Sequence, residues 1–197
     1  MEEKSDKTDF SNLISELTKI KDEGNSLYKE KKIEEAKNKF KEGNDKFEKE
    51  SSLVNKEKEN NEQCKDVLLL LKKILSNLAL CYYKQGKYKE SIEYDLKIIA
   101  NYPKFGKSIV RLFNAYLRLN NLQQAVYYGD LFLELDQETR DKFKGTQTKV
   151  QNEKIKLKKI QKEEKEKIKK DFVKFTVPGL VLLLGILFFL LFRKSNK

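Results

Sequence analysis

At 197 residues the chain has room for one domain with appendages. Charged residues make up 37% of it and the formal net charge is +11, which suits an anionic membrane surface, an acidic peptide or a nucleic acid as partner. Histidine is absent, so the commonest general base and the commonest neutral metal ligand are missing. No catalytic residue, metal or cofactor is therefore expected. Cys64 and Cys81 lack CxxC spacing and read as reduced thiols. No apolar stretch opens the chain, so no secretory signal is expected.

Residues 1–14 read as a flexible, polar N-terminus. A helical pattern then begins, with Glu23-Gly24-Asn25-Ser26-Leu27 before a turn at Lys31-Lys32, and with Ala36, Phe40 and Gly43 after it. The clearest unit is Leu75 to Pro103. Leu78, Ala79 and Tyr82 share one face of a first helix, Gly86 and Lys87 turn, Ser91, Asp95 and Ile98 space a second helix, and Pro103 closes it. A shift of 34 residues finds Leu112, Phe113 and Tyr116, then a turn at Asn120-Asn121, then Ala125, Gly129 and Phe132. Ala36 and Ser91 are 55 apart, so about 21 extra residues separate units one and two. The polar segment Glu48 to Gln63 is expected to lengthen the second helix of unit one and make a loop. The chain would then re-enter on Cys64 to Leu75 as a lengthened first helix.

This pattern resembles the tetratricopeptide repeat (TPR), a 34-residue helix pair with small residues where its helices touch. The small positions here are Gly24, Ala36, Gly43, Ala79, Ser91, Ala125 and Gly129. The resemblance implies an all-α fold of three repeats, at about 17–50, 72–105 and 106–139, in a right-handed superhelical array. With a capping helix the array would fill 15–149. The inserted stretch and the string Asn77-Leu78-Ala79-Leu80-Cys81-Tyr82 are similar to the repeat domain of the large FK506-binding immunophilins. About 15 residues precede the repeats, too few for the strand-rich isomerase domain of that family, so no enzyme is expected.

In such an array the first helices line a concave groove. Lys21 and Asn25 are four apart on the first helix of unit one, as are Lys107 and Arg111 on that of unit three, and Asn77 lies on that of unit two. Two ammonium groups, a guanidinium fork and two amides suit carboxylates. The set is similar to the dicarboxylate clamp of chaperone-adaptor repeat domains. That resemblance implies that Lys21, Asn25, Asn77, Lys107 and Arg111 would hold the C-terminal Glu-Glu-Val-Asp of the 70-kDa and 90-kDa heat-shock chaperones. Tyr28, Leu80 and Tyr83 are possible apolar groove contacts, with helix packing as their other reading. Asn114 and Arg118 could meet upstream acidic residues or simply face solvent.

Phe143, Val150 and Leu157 recur at seven, so the chain after Asp136 is expected to cap the last repeat. Residues 150–174 read as a charged helical spacer, in which Lys154 to Lys170 alternates Lys with Glu and is supported by i,i+4 pairs. Acids are interspersed and no aromatics interleave, so nucleic-acid binding is not expected. The run VPGLVLLLGILFFLLF, Val177 to Phe192, carries no charge and has basic residues on both sides. A span over 175–192 is long enough for a bilayer core, with a basic tail at 193–197. Five residues follow it, which predicts a tail anchor with the repeats in the cytosol, on the mitochondrial outer membrane or, second, the endoplasmic reticulum. The chain thus reads as a membrane-anchored co-chaperone that takes chaperone C-terminal peptides and contacts the lipid bilayer, with no small-molecule substrate. The alternatives are a scaffold or import- or fission-complex subunit whose groove takes another protein, and a degenerate immunophilin-type isomerase.

Overall fold

The computed structural model describes residues 8–59 and 61–195, with side chains up to Phe172, Val173 excepted, and that of Lys174. Eight α-helices and no strands occur among the described residues: α1 (Ser11–Lys29), α2 (Ile33–Glu57), α3 (Glu62–Lys84), α4 (Tyr88–Asn101), α5 (Gly106–Arg118), α6 (Leu122–Leu133), α7 (Gln137–Asp141) and α8 (Thr146–Ser195). The chain divides into two units, 1–150 and 151–197. In the first, α1 packs on α2, α3 on α4 and α5 on α6, and α1, α3 and α5 meet in succession.

The three pairs turn in the same way. Lys31, Gly86 and Asn120 all have positive φ, at 63°, 75° and 55°, and they are separated by the same 55 and 34 residues as the sequence units. At each turn the next amide reaches back across the helix end: Lys32 to Leu27 O (3.0 Å), Lys87 to Tyr82 O (3.0 Å), Asn121 to Tyr116 O (2.9 Å). This left-handed cap satisfies carbonyls that a helix end would otherwise leave open. The tyrosines repeat too. Tyr82 stacks on Tyr94 and, 34 residues later, Tyr116 on Tyr128, each at 5.5 Å between ring centroids.

The inserted residues lengthen helices rather than making a long loop. The second helix of unit one runs to Glu57 and the first helix of unit two starts at Glu62. Val54, Cys64 and Val67 are fully buried along this extension, which explains why the polar stretch stays helical: one stripe still faces a core. Cys64 and Cys81 are free. They sit 17 residues apart on α3, or about 25 Å along the axis, beyond the reach of a disulfide.

Small residues lie where helices touch, and the size relation swaps between units. In unit one, Gly24 faces Phe40, and a methyl group at Gly24 would come within 2.5 Å of that ring. In unit three the aromatic is Phe113 on the first helix and the glycine is Gly129 on the second, 3.4 Å from it by the same measure. Unit two places Ala79 and Asp95 at these positions, both fully buried. Two core clusters result: one around Leu17, Phe40, Ile74 and Leu78, the other around Leu112, Phe113, Phe132 and Val150.

Two segments differ from the sequence reading. The helix begins inside the N-terminus expected to be flexible: α1 starts at Ser11 and Phe10 is 3% exposed. The Phe10 amide donates to Gln63 Oε1 (2.8 Å), Asn61 Nδ2 donates to Thr8 O (2.9 Å), and the Thr8 hydroxyl binds Glu57. The apolar ring and these bonds tie residues 8–10 to the α2–α3 corner. The capping segment is broken as well. α7 has five residues, Gly145 turns at φ 83°, and only then does α8 begin, with Val150 buried against Gly129. Asp136 caps α7 through Thr139 N (2.8 Å).

In the second unit α8 continues as one helix with the Lys-Glu face exposed to solvent. Among the described residues no helix is long and apolar enough to cross a membrane. The span expected at 175–192 and the tail at 193–197 lie outside the residues whose side chains are described.

Candidate functional site

The candidate site is built from α1, α3 and α5, and two adjacent residues of α3 join them. Asn77 Nδ2 donates to Asn25 Oδ1 at 2.7 Å, linking α3 to α1. Its neighbour Ser76 accepts from Arg111 Nη2 at 3.3 Å, linking α3 to α5. Lys21 lies one turn before Asn25 and Lys107 one turn before Arg111. Asn25, Asn77 and Arg111 are thus linked across three neighbouring helices, with Lys21 and Lys107 one turn earlier on two of them.

Their states differ. Asn25 and Asn77 are half-buried, and their mutual bond fixes the amides. The bond occupies Asn25 Oδ1, so both Asn25 Nδ2 protons remain to donate elsewhere. Lys21 is half-buried and 3.1 Å from the exposed Asp22 carboxylate, a weak neighbour for so mobile a group. Lys107 is exposed and has no ion-pair partner among the described residues.

Arg111 is different, and the sequence reading did not anticipate its setting. Its side chain is 9% exposed and that of Asp95 is fully buried. Nε donates to Asp95 Oδ2 at 2.7 Å and Nη2 to Oδ1 at 2.6 Å, a bidentate pair between α5 and α4. Burial raises the Asp95 carboxyl above its ordinary value, against the opposing pull of the guanidinium. Of the five guanidinium N–H groups, three go to Asp95 and Ser76. The two on Nη1 are what Arg111 can offer a ligand. A signal for this pairing was present in the chain. Asp95 stands where unit one has Phe40 and unit three has Gly129, and a carboxylate at a helix-contact position requires a cation nearby.

The secondary contacts divide. Asn114 is engaged at both ends of its amide, donating to Val110 O (2.8 Å) and accepting from Lys149 Nζ (2.6 Å). Tyr28 packs against the first core cluster and Tyr83 against the second, Tyr83 also meeting Tyr88 edge-on at 5.3 Å. Burial pushes the Tyr28 hydroxyl up, with Cys81 adding to this. Leu80 is half-buried and outside both clusters, and Arg118 is exposed. Among the described residues no group of His, Cys, Asp and Glu could hold a metal ion. The arrangement offers N–H donors to an anion.

No protein-family model matches the chain, and no curated protein matches it. Solved structures do. The C-terminal TPR-containing domain of an FK506-binding protein from Plasmodium falciparum aligns with a TM-score of 0.57 at 21% identity, covering 74% of this chain and 95% of that one. The Hsp90 co-chaperone Cns1 from Saccharomyces cerevisiae aligns with a TM-score of 0.53 at 21% identity, over 82% of this chain and 47% of that one, so this chain spans about half of Cns1. The fold is therefore that of a TPR array.

Proposed function

We propose that this chain is a chaperone adaptor whose groove takes the extended, acidic C-terminus of a heat-shock chaperone and brings it to a membrane surface. The observation that carries the reading is the row across α1, α3 and α5, in which Ser76 and Asn77 join the Lys21–Asn25 pair to the Lys107–Arg111 pair. A terminal carboxylate and the Asp side chain beside it need several N–H donors within one peptide residue of each other, which these five side chains would supply. The Asn25 amide and the Lys21 and Lys107 ammonium groups would grip the peptide; the Arg111 Nη1 edge would add a fixed, planar donor. Binding of this kind is adaptor work and involves no bond chemistry. One of the two aligned structures, Cns1, is a co-chaperone of Hsp90, which is in keeping with this reading.

The membrane half of the reading rests on the uncharged run Val177 to Phe192 and its basic flanks. A mitochondrial outer-membrane anchor fits an uncharged run with basic flanks, with the endoplasmic reticulum as second choice.

The deciding experiment is a titration with a peptide ending Glu-Glu-Val-Asp. We expect micromolar affinity, about −8 kcal/mol, falling with added salt. Lys107→Ala is the clean variant, since Lys107 is exposed and its loss leaves the fold intact; it should weaken binding by at least tenfold. Amidating the peptide's C-terminus should do the same. Equal binding by parent, variant and amidated peptide would overturn the reading. For the anchor, an N-terminally tagged chain lacking Val177 to Lys197 should leave membranes; retention there would contradict it.

A further inference from the structure

The lengthened α2–α3 hairpin creates a second candidate site, on α2, α3 and α4 and away from the donor row. α4 stops at Asn101, while α2 and the first half of α3 continue past it. At this step lies a pocket of about 180 Å³. Its floor is apolar: Phe47, Leu68, Leu71, Leu75 and Ile98. Its rim carries three lysines, Lys58, Lys72 and Lys97, with the amides of Asn55 and Asn101 between them. No carboxylate lines it among the described residues.

The lysines are not neutralised by the fold. Lys72 is half-buried, and its ammonium sits 4.4 Å from the centre of the Tyr102 ring and 5.4 Å from that of Phe105. These aromatic faces hold the cation in place without consuming its charge. Lys58 is exposed and has no ion-pair partner among the described residues. Lys97 has only Glu93, at 3.9 Å and exposed. An apolar cup of this size admits one Leu, Phe or Tyr side chain. Three cations around it, of which Lys97 alone has an ion-pair partner among the described residues, would lower the free energy of carboxylates held at its mouth. Repulsion among the lysines is itself relieved when such a ligand enters, so a neutral apolar group gains less from the same cup.

We infer that this pocket is a docking site for an acidic segment of a partner protein, which seats one large apolar side chain on the Phe47–Leu71–Ile98 floor and sets flanking Asp or Glu side chains against Lys58, Lys72 and Lys97. The ligand is taken as an internal acidic segment, with no free terminal carboxylate. It would give a partner a second point of attachment, and two linked contacts hold far better than either alone. The inference stands independently of the groove reading.

The test is an amide NMR titration of the full-length protein in detergent with the peptide acetyl-Asp-Glu-Phe-Asp-Glu-amide, capped at both ends so that it carries no terminal carboxylate. Saturable shifts should appear at Leu71, Lys72, Asn101 and Tyr102. Apparent affinity should fall at least tenfold for Lys72→Glu, for Lys58→Glu, and for the peptide with Ala in place of Phe; Lys107→Ala should leave it unchanged. Lys58 is exposed, so Lys58→Glu keeps the test sound should Lys72→Glu disturb packing. Three results would each overturn the inference: no saturation, equal binding of acetyl-Asn-Gln-Phe-Asn-Gln-amide, or shifts that follow residues 21, 25 and 107 and vanish in Lys107→Ala.

Discussion

The Asp95–Arg111 pair makes a prediction that separates binding from folding. Asp95 is fully exposed to the desolvation penalty, having no solvent contact, and the guanidinium beside it is 9% exposed. Removing one partner strands the other as a buried charge, which costs about 3–5 kcal/mol. A domain of this size has a total stability of about 5–15 kcal/mol, so either loss consumes a large share of it. Arg111→Ala and Asp95→Ala should therefore each lower the urea midpoint strongly, followed by circular dichroism at 222 nm. The double variant Asp95→Leu with Arg111→Met should recover most of the loss, because neither charge is then left in the interior. The non-additivity of the cycle measures the coupling. If each single variant stays within about 1 kcal/mol of the parent, or the two losses simply add, the pair is not the buried tie described above. The consequence for the groove is practical: loss of peptide binding in Arg111→Ala has to be read beside its unfolding curve, whereas Lys107→Ala carries no such ambiguity.

Three further outcomes follow from local geometry. Gly86→Ala should destabilise by about 1–2 kcal/mol, because φ is 75° there while nothing lies within 4 Å of the added methyl group; thermal unfolding checks it, and an unchanged midpoint would show that the turn relaxes. Burial pushes the Cys81 thiol up to about 11, so it should resist iodoacetamide at neutral pH in the folded protein and react at the rate of opening; rapid labelling would sink this. Thr8 and Asn61 donate to Glu57 and hold its carboxyl below the ordinary value. A depressed carboxyl contributes stability above its ordinary value and loses it as pH falls through the folded value. Amide protection at Phe10 should therefore drop on acidification, and Glu57→Gln should remove that pH dependence.

Much of the array was legible because it rests on spacing. Lys31, Gly86 and Asn120 were readable as turns, and Gly24, Ala36, Gly43, Ala79, Ser91, Ala125 and Gly129 as contact positions, because steric constraint leaves few choices there; all seven are buried. That α1, α3 and α5 each carry donors was legible from residues four apart on one helix face. What each donor faces was not. Asn114 reads from its phase as a groove residue, yet Lys149, 35 residues later, closes on it. Arg111 reads as a free fork, yet Asp95 on the preceding helix takes one edge. Such pairings depend on how helices distant in sequence meet, and a periodic pattern carries no record of that. Phe10 was missed for a related reason: a single aromatic among polar residues has no period to announce it.

The exchange of bulk between Gly24–Phe40 and Phe113–Gly129 has a consequence for the order of the units. A first helix from unit three joined to a second helix from unit one would set Phe113 against Phe40 in one place, and the reverse graft would set glycine against glycine. The first chimera would be forced apart and the second would be left with a hollow. Although the pairs share turns and spacing, units one and three are each keyed to their own partner helix, so single helices cannot be exchanged between them without recutting both sides of the joint.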